Sequence, residues 1–302
     1  MIDETQILWT PAGQNLPSLG SKALVDVSDG DTPNIRMPIR MLSIDTPEVT
    51  AKSAAGAVNT DQEFLELAEW IQQGQAPVSN SFRNYILPRL QSGAAGTLQF
   101  DQGQKASDFY KEKITERLTR DSGSQRRLFV RSADDPFDNY GRLLAYVAPS
   151  YSKAERTQMT RKERATFNLD LIESGWATPF ILFPSIPGEL DLPLFLDAAV
   201  DAKENESGQY AEELFLPGYE YRMCEKLHDI TKKLVEGQSL SFPDQLKWRS
   251  RYCADIRTRE LFGPENYKSI SEPYRLWIWP SDVQRAIGKL NLVPKVNAPA
   301  SK

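Results

Sequence analysis

The chain has 302 residues, of which 40% are apolar and 25% charged, and its formal net charge is −5. This length suffices for one elaborated domain or two ordinary ones. The negative net charge argues against binding nucleic acid through bulk electrostatics, and one histidine with two cysteines excludes a histidine-rich metal site and a disulfide framework.

The sequence contains no run of about eighteen apolar residues, so we expect no membrane span and no membrane partner. Residues 1–16 are polar, include a proline and lack the basic and apolar segments of a signal peptide. These features favour an intracellular location, although removal of a leader and its replacement by a methionine is left open.

The first hundred residues are predicted to contain short elements. Residues 22–28 and 35–44 are predicted strands on either side of an Asp-Gly turn. The stretch 49–96 is rich in Ala, Gly, Ser and Gln, and we interpret it as an insertion packed on a core domain. Apolar spacing within it predicts a helix over 61–72, with Thr60 as N-cap, and a second helix over 81–90.

Strands and helices are then expected to alternate, with strands over 97–100, 128–131 and 143–147 and helices over 106–118, 168–174 and 194–203. Beyond residue 211 the chain is predicted to be mostly helical. An aromatic run over 274–280 is expected to pack inside. About five short strands with a helix between them favour a small barrel of the OB type.

Charged residues cluster in two places. Asp-Gly-Asp-Thr at 29–32, Arg40 and Asp-Thr-Pro-Glu at 45–48 form the first cluster, and Asp-Asn-Tyr-Gly-Arg at 138–142 forms the second. Each motif alone has an ordinary structural explanation, as a turn, a helix N-cap or a hairpin. Their conjunction in this order points to metal-dependent hydrolysis of phosphodiester bonds.

The chemistry of such a reaction suggests a role for each charged group. Calcium takes oxygen ligands from carboxylates and backbone carbonyls, which makes Asp31, Asp45 and the carbonyl of Thr46 candidate ligands. The planar guanidinium of arginine suits a phosphate, so Arg40 and Arg142 are candidate phosphate clamps. Glu48 is a candidate acceptor for a proton from the attacking water.

These motifs, together with 143–147 and a weaker match over 168–177, resemble the staphylococcal nuclease (thermonuclease) family over about 22–48 and 97–210. The resemblance implies an α+β fold whose core is a five-stranded OB-fold β-barrel with helices. We therefore expect an N-terminal segment 1–21, a nuclease-like domain 22–210 that carries the insertion 49–96, and a C-terminal extension 211–302. The insertion and the extension are both expected to be mainly helical.

The same resemblance implies Ca²⁺-dependent cleavage of DNA and RNA that leaves 3′-phosphates, with Mg²⁺ or Mn²⁺ as alternative ions. It assigns the metal site to Asp31, Asp45 and Thr46, and catalysis to Arg40, Glu48 and Arg142. Tyr140 matches a tyrosine that touches the nucleotide phosphate, and Asp138 looks like a carboxylate that stabilises its turn.

The sequence also departs from the family pattern. Ile181 and Phe183 stand where tyrosines pack on a base, and only Phe183 could still stack there. Basic and aromatic residues alternate over 248–259, which we interpret as a helix with a solvated basic face in preference to a nucleic-acid surface. A catalytically silent scaffold that holds nucleic acid or protein is the alternative function, and homo-oligomerisation through the insertion or the extension is left open.

Overall fold

A computed structural model describes residues 19–49 and 51–295, without the side chains of Asp134 and Asp135. The predicted N-terminal segment 1–21 therefore falls largely outside the described residues. None of the helices in the described ranges is both long enough and apolar enough to cross a lipid bilayer.

Strands and helices alternate irregularly along the described chain. The strands are β1 (Ala23–Asp29), β2 (Thr32–Arg36), β3 (Ile39–Met41), β4 (Ser43–Asp45), β5 (Leu128–Phe137), β6 (Leu143–Pro149), β7 (Thr178–Leu182), β8 (Tyr252–Asp255), β9 (Glu260–Phe262), β10 (Arg275–Ile278) and β11 (Val293–Pro294). The α-helices are α1 (Ala54–Gln72), α2 (Asn80–Leu90), α3 (Ala95–Leu118), α4 (Lys153–Gln158), α5 (Phe167–Glu173), α6 (Leu192–Glu204), α7 (Gly218–Val235), α8 (Phe242–Gln245) and α9 (Val283–Leu290).

The protein is α+β, as predicted. Among the described residues the strands form three sheets, with the orders β1-β2, β3-β6-β5 and β11-β9-β8-β10-β7-β4. None of these sheets closes on itself within that part of the chain, so the predicted five-stranded OB barrel is not confirmed.

The chain divides into two compact units. The smaller unit comprises residues up to Arg40 together with Ser132–Ala145, and the larger comprises Met41–Arg131 and Tyr146–Lys302. The predicted domain boundary at residue 210 stays a prediction. The six-stranded sheet nevertheless runs across this position, because β4 and β7 precede it whereas β8 to β11 follow it.

In the smaller unit, β1 and β2 form an antiparallel hairpin in which Asp29 lies opposite Thr32. The loop before β6 includes Gly141, whose φ is +67°. A Cβ at this position would lie 2.3 Å from the carbonyl oxygen of Leu19, so the close approach of the two backbones needs glycine.

The core of the larger unit combines the insertion with the C-terminal extension. Phe64 of α1 and Ile86 of α2 belong to the same buried cluster as Tyr221 and Leu227 of α7 and Trp277 of β10. Phe64 and Tyr221 have ring centroids 5.3 Å apart. The insertion therefore shares one core with the extension. The aromatic run is internal at Trp277, whereas Trp279 is 37% exposed.

The prediction of a strand over 97–100 is wrong, because α3 begins at Ala95. Ala94 at the N-cap position has no side chain that could accept a hydrogen bond. The carboxylate of Asp61 in α1 takes this role and accepts hydrogen bonds from the backbone N–H groups of Gly96, at 2.6 Å, and Thr97, at 3.1 Å. This cap comes from another helix, so no local sequence pattern reveals it.

The two predicted helices of the insertion are present. The first is longer than predicted, because Ser53 is its N-cap and accepts a hydrogen bond from the N–H of Gly56. Thr60, the predicted N-cap, lies inside α1 and donates to the carbonyl of Gly56. The second helix, α2, agrees with the prediction within one residue.

The prediction of a mainly helical extension is only partly right. Its described part, up to Lys295, contains the long helix α7 but also the strands β8, β9, β10 and β11, which were not predicted. Strand β10 pairs with β8 in antiparallel and with β7 in parallel orientation, so that Leu276 lies opposite Ala254 and Ile181. These strands are only two to four residues long, and periodicity cannot identify so short a segment as a strand.

A buried ion pair joins α7 to β10. The Arg275 side chain is 1% exposed, and its Nη1 donates hydrogen bonds to the Tyr219 hydroxyl, at 2.5 Å, and to Glu220 Oε1, at 3.2 Å. The hydroxyl of Tyr85 in α2 donates to the same oxygen at 2.8 Å. Burial raises the pKa of Glu220, against the opposing charge of Arg275.

Replacement of Arg275 should be far more damaging than replacement of a surface arginine. Arg275→Leu leaves Glu220 buried without its cation, and we expect the free energy of unfolding to fall by about 3–5 kcal/mol. Arg161 pairs with Asp191, and the two side chains are 45% and 42% exposed, so Arg161→Leu should cost less than about 1 kcal/mol. Urea denaturation followed by tryptophan fluorescence measures both, and equal losses would contradict this assignment.

A methyl group at the start of α7 should also destabilise the larger unit. A Cβ on Gly218 would lie 2.5 Å from the carbonyl oxygen of Thr46 and 2.8 Å from Asp45 Oδ2. We therefore expect Gly218→Ala to cost about 1–3 kcal/mol in the same denaturation assay. Gly188→Ala is the matched control, because no atom lies within 4 Å of its added Cβ. A Gly218→Ala variant as stable as the control would show that α7 moves freely away from β4.

Candidate functional site

The loop between β5 and β6 is built around Asp138. Its Oδ1 accepts hydrogen bonds from the backbone N–H groups of Tyr140, at 2.9 Å, and Arg142, at 3.0 Å, and its Oδ2 accepts from Arg142 Nε at 2.7 Å. Partial burial opposes ionisation, but these hydrogen bonds from Arg142 and Tyr140 lower the pKa of Asp138. The predicted turn-stabilising role of Asp138 is confirmed.

This loop presents Arg142 and Tyr140 to solvent. Tyr140 is 82% exposed, and the Arg142 side chain is 38% exposed. The Arg142 guanidinium carbon lies 5.4 Å from the centre of the Tyr140 ring. Within the described ranges, no residue accepts a hydrogen bond from either Nη of Arg142, so both remain available to a ligand.

Two further candidate residues belong to the smaller unit. Asp31 lies exposed at the turn between β1 and β2, where its Oδ1 accepts a hydrogen bond from the Thr32 hydroxyl at 3.1 Å. Arg40 lies half-buried on β3. The smaller unit thus carries Asp31, Arg40, Tyr140 and Arg142.

The remaining candidates belong to the larger unit. Asp45 ends β4, and its side chain has 0% exposure. The backbone of Asp45 is fixed by Thr178 of β7, whose hydroxyl donates to the Asp45 carbonyl at 3.3 Å. The chain then turns through Thr46 to the half-buried Glu48.

The turn after β4 is held by α3. A Cβ on Gly103 would lie 3.0 Å from the Glu48 carbonyl oxygen, so α3 lies directly against this backbone. With its amide oriented to suit both partners, Gln99 accepts from the Glu48 N–H at 2.8 Å and donates to the Leu216 carbonyl at 2.9 Å. Gln99 therefore ties Glu48 to the residues that precede α7.

Arg222 of α7 joins the two carboxylates of the larger unit. Its Nη2 contacts both oxygens of Asp45, at 3.1 Å and 2.9 Å, and its Nη1 donates to Glu48 Oε1. No motif in the sequence points to this residue. Arg222 is 177 positions from Asp45 and lies in the extension, outside every motif.

The charges of this cluster shift the pKa values of Arg222 and Glu225. Burial by itself would lower the pKa of the Arg222 guanidinium, but the negative charges of Asp45 and Glu48 outweigh it and raise the pKa. One turn further along α7, burial and the charge of Glu48 raise the pKa of Glu225 to about 7.

The carboxylates are the right kind of donor for calcium, but their arrangement here does not fit that ion. Both oxygens of Asp45 and one of Glu48 already converge on Arg222. Calcium takes six to eight oxygen ligands. In the portion of the chain that the structure describes, no three His, Cys, Asp or Glu side chains are grouped closely enough to hold a metal ion.

Two other sequence predictions have clear outcomes. Phe183 is buried in the core with Ile181, so it does not offer the stacking surface for a base that the sequence had left open. Along the basic and aromatic stretch, Trp248 is buried, which agrees with the predicted burial of its aromatic side. The predicted helix with a solvated basic face is wrong, because no residue of 248–259 is helical, Tyr252–Asp255 is strand β8, and Arg249 pairs with Glu265 at 26% exposure.

Comparison with known proteins places the chain in a family. A search of curated proteins finds no match. A family model described as staphylococcal nuclease homologue matches residues 38–208, which is more than half of the 302-residue chain. The match includes Arg40, Asp45, Glu48 and Arg142 but ends before Arg222. The chain belongs to the staphylococcal nuclease homologue family.

Proposed function

We propose that this chain is a nuclease that hydrolyses phosphodiester bonds of both DNA and RNA. The observation that carries this proposal is the Asp138 loop, which fixes Arg142 through its Nε and leaves both Nη groups for a ligand. A guanidinium held in this way can donate two parallel hydrogen bonds to a phosphate. Family membership supports the same substrate class.

The proposed chemistry follows from the resistance of a phosphodiester to attack. Its negative oxygens repel a nucleophile, so a catalyst must neutralise them. In our proposal Arg142 and Arg40 supply this charge, and Tyr140 contacts a phosphate of the nucleotide. Glu48 accepts the proton of the attacking water, which is the ordinary role of a positioned carboxylate.

The narrower features of the proposal come from the family resemblance alone. They are calcium dependence through Asp31, Asp45 and Thr46, the alternative ions Mg²⁺ and Mn²⁺, and 3′-phosphate products. Because Arg222 contacts Asp45 and Glu48, calcium would first have to displace it. We derive no catalytic step through the ion.

A catalytically silent scaffold is the second candidate, and one observation favours it. The positive charge of Arg222 already compensates the charges of Asp45 and Glu48, the carboxylates that a nuclease would use. A protein of this kind would bind nucleic acid or a partner protein without cutting nucleic acid.

Homo-oligomerisation through the insertion or the extension stays a prediction. An intracellular location stays a prediction as well.

Cleavage assays on single-stranded DNA, double-stranded DNA and RNA test the proposal, each with Ca²⁺, Mg²⁺, Mn²⁺ or a chelator. We expect the wild-type chain to cut. Arg142→Ala should lose about 100- to 1,000-fold in rate, because one preorganised donor to a developing negative charge is worth that much in other enzymes. Glu48→Gln should lose activity as well, because the amide cannot accept the proton.

Arg161→Ala is the matched control, because Arg161 is a half-exposed arginine paired with Asp191 and belongs to no candidate motif. Its rate should equal that of the wild type. Wild-type cleavage by Arg142→Ala would refute the mechanism. Binding of nucleic acid without cleavage under any metal condition would favour the scaffold.

A further inference from the structure

The contacts of Arg222 carry an inference about the control of this site. Asp45 is a buried carboxylate, and Arg222 contacts both of its oxygens. Glu48 shares the same guanidinium. These are two of the groups that the family resemblance assigns to the metal and to the attack of water.

The start of α7 also covers the neighbouring carbonyl. Gly218 lies so close that a Cβ would be 2.5 Å from the Thr46 carbonyl oxygen. The positive end of the α7 dipole further favours the negative charge of Asp45. Helix α7 therefore contributes the cation that pairs with Asp45 and Glu48, and its first residue covers the Thr46 carbonyl.

The backbone of α7 is fixed, whereas the tip of Arg222 is not fully enclosed. Tyr219, Tyr221 and Leu227 are buried in the core, and Glu220 pairs with Arg275. The Arg222 side chain is 29% exposed. Solvent therefore reaches this contact at the guanidinium, whereas the helix that carries it is held in the core.

We propose that Arg222 is a built-in competitor of divalent cations at Asp45 and Glu48, so that the C-terminal extension holds the nuclease site in a resting state. This inference rests on the proposed function for its consequence in catalysis, but not for its effect on cation binding. A calcium ion and the guanidinium cannot contact the same oxygens of Asp45 at the same time, and their positive charges repel one another.

Calcium binding to the full chain tests the competition directly. Isothermal titration calorimetry with CaCl₂ should show at least about tenfold tighter binding to Arg222→Gln than to the wild type, a difference of about 1.4 kcal/mol. The gain should disappear in the double variant Arg222→Gln/Asp45→Asn. Calcium should also raise the melting temperature of Arg222→Gln, because the ion replaces the lost charge on Asp45.

Arg249→Gln is the matched control, because Arg249 is an arginine of the extension with 26% side-chain exposure and a glutamate partner. Its calcium affinity should equal that of the wild type. If Arg222→Gln does not fold without calcium, Arg222→Lys provides the test. Its single point charge should give a smaller gain that still exceeds wild-type affinity.

The inference is overturned if Arg222→Gln binds calcium no better than the wild type, or if the gain survives Asp45→Asn. Tighter binding without cleavage by Arg222→Gln would support the competition and contradict the proposed nuclease. Wild-type cleavage that does not depend on calcium and is unchanged in Arg222→Gln would support the proposed nuclease and contradict the competition.

Discussion

A carboxylate without exposure to solvent needs a compensating cation, and the structure around the candidate site depends on how Asp45 meets this need. Desolvation of a charge costs several kcal/mol unless a partner and hydrogen bonds offset it. Arg222 provides both, through two contacts to Asp45 and one to Glu48. This contact joins α7 to β4, and Gly218 permits the close approach of the two elements.

The C-terminal extension is consequently part of the larger unit's architecture. Its strands β8 to β11 continue the sheet that contains β4 and β7, and its helix α7 packs with the insertion helices α1 and α2. The family match ends at residue 208, before α7 and the strands β8 to β11. β4 and β7 of the matched region thus belong to the same sheet as β8 to β11 of the extension. The same extension places its arginine on the carboxylates that follow β4.

How much the sequence could predict depended on the distance over which each interaction acts. The Asp138 loop was predictable, because every partner of Asp138 lies within four residues and the motif is compact. The start of α3 was not, because its cap is Asp61 in another helix. The contact of Arg222 with Asp45 could not be predicted for the same reason, because 177 residues separate the two along the chain. The strands of the extension were not predictable for another reason, because two to four residues are too few to show the alternation that marks a strand.

The most direct test of this account is a double-mutant cycle between Asp45 and Arg222. Asp45→Asn, Arg222→Gln and the double variant are compared with the wild type by urea denaturation in the presence of a chelator. We predict a coupling free energy of at least about 2 kcal/mol, as expected for a desolvated charge pair. A value below about 0.5 kcal/mol, which is ordinary for independent sites, would show that Arg222 does not balance the charge of Asp45.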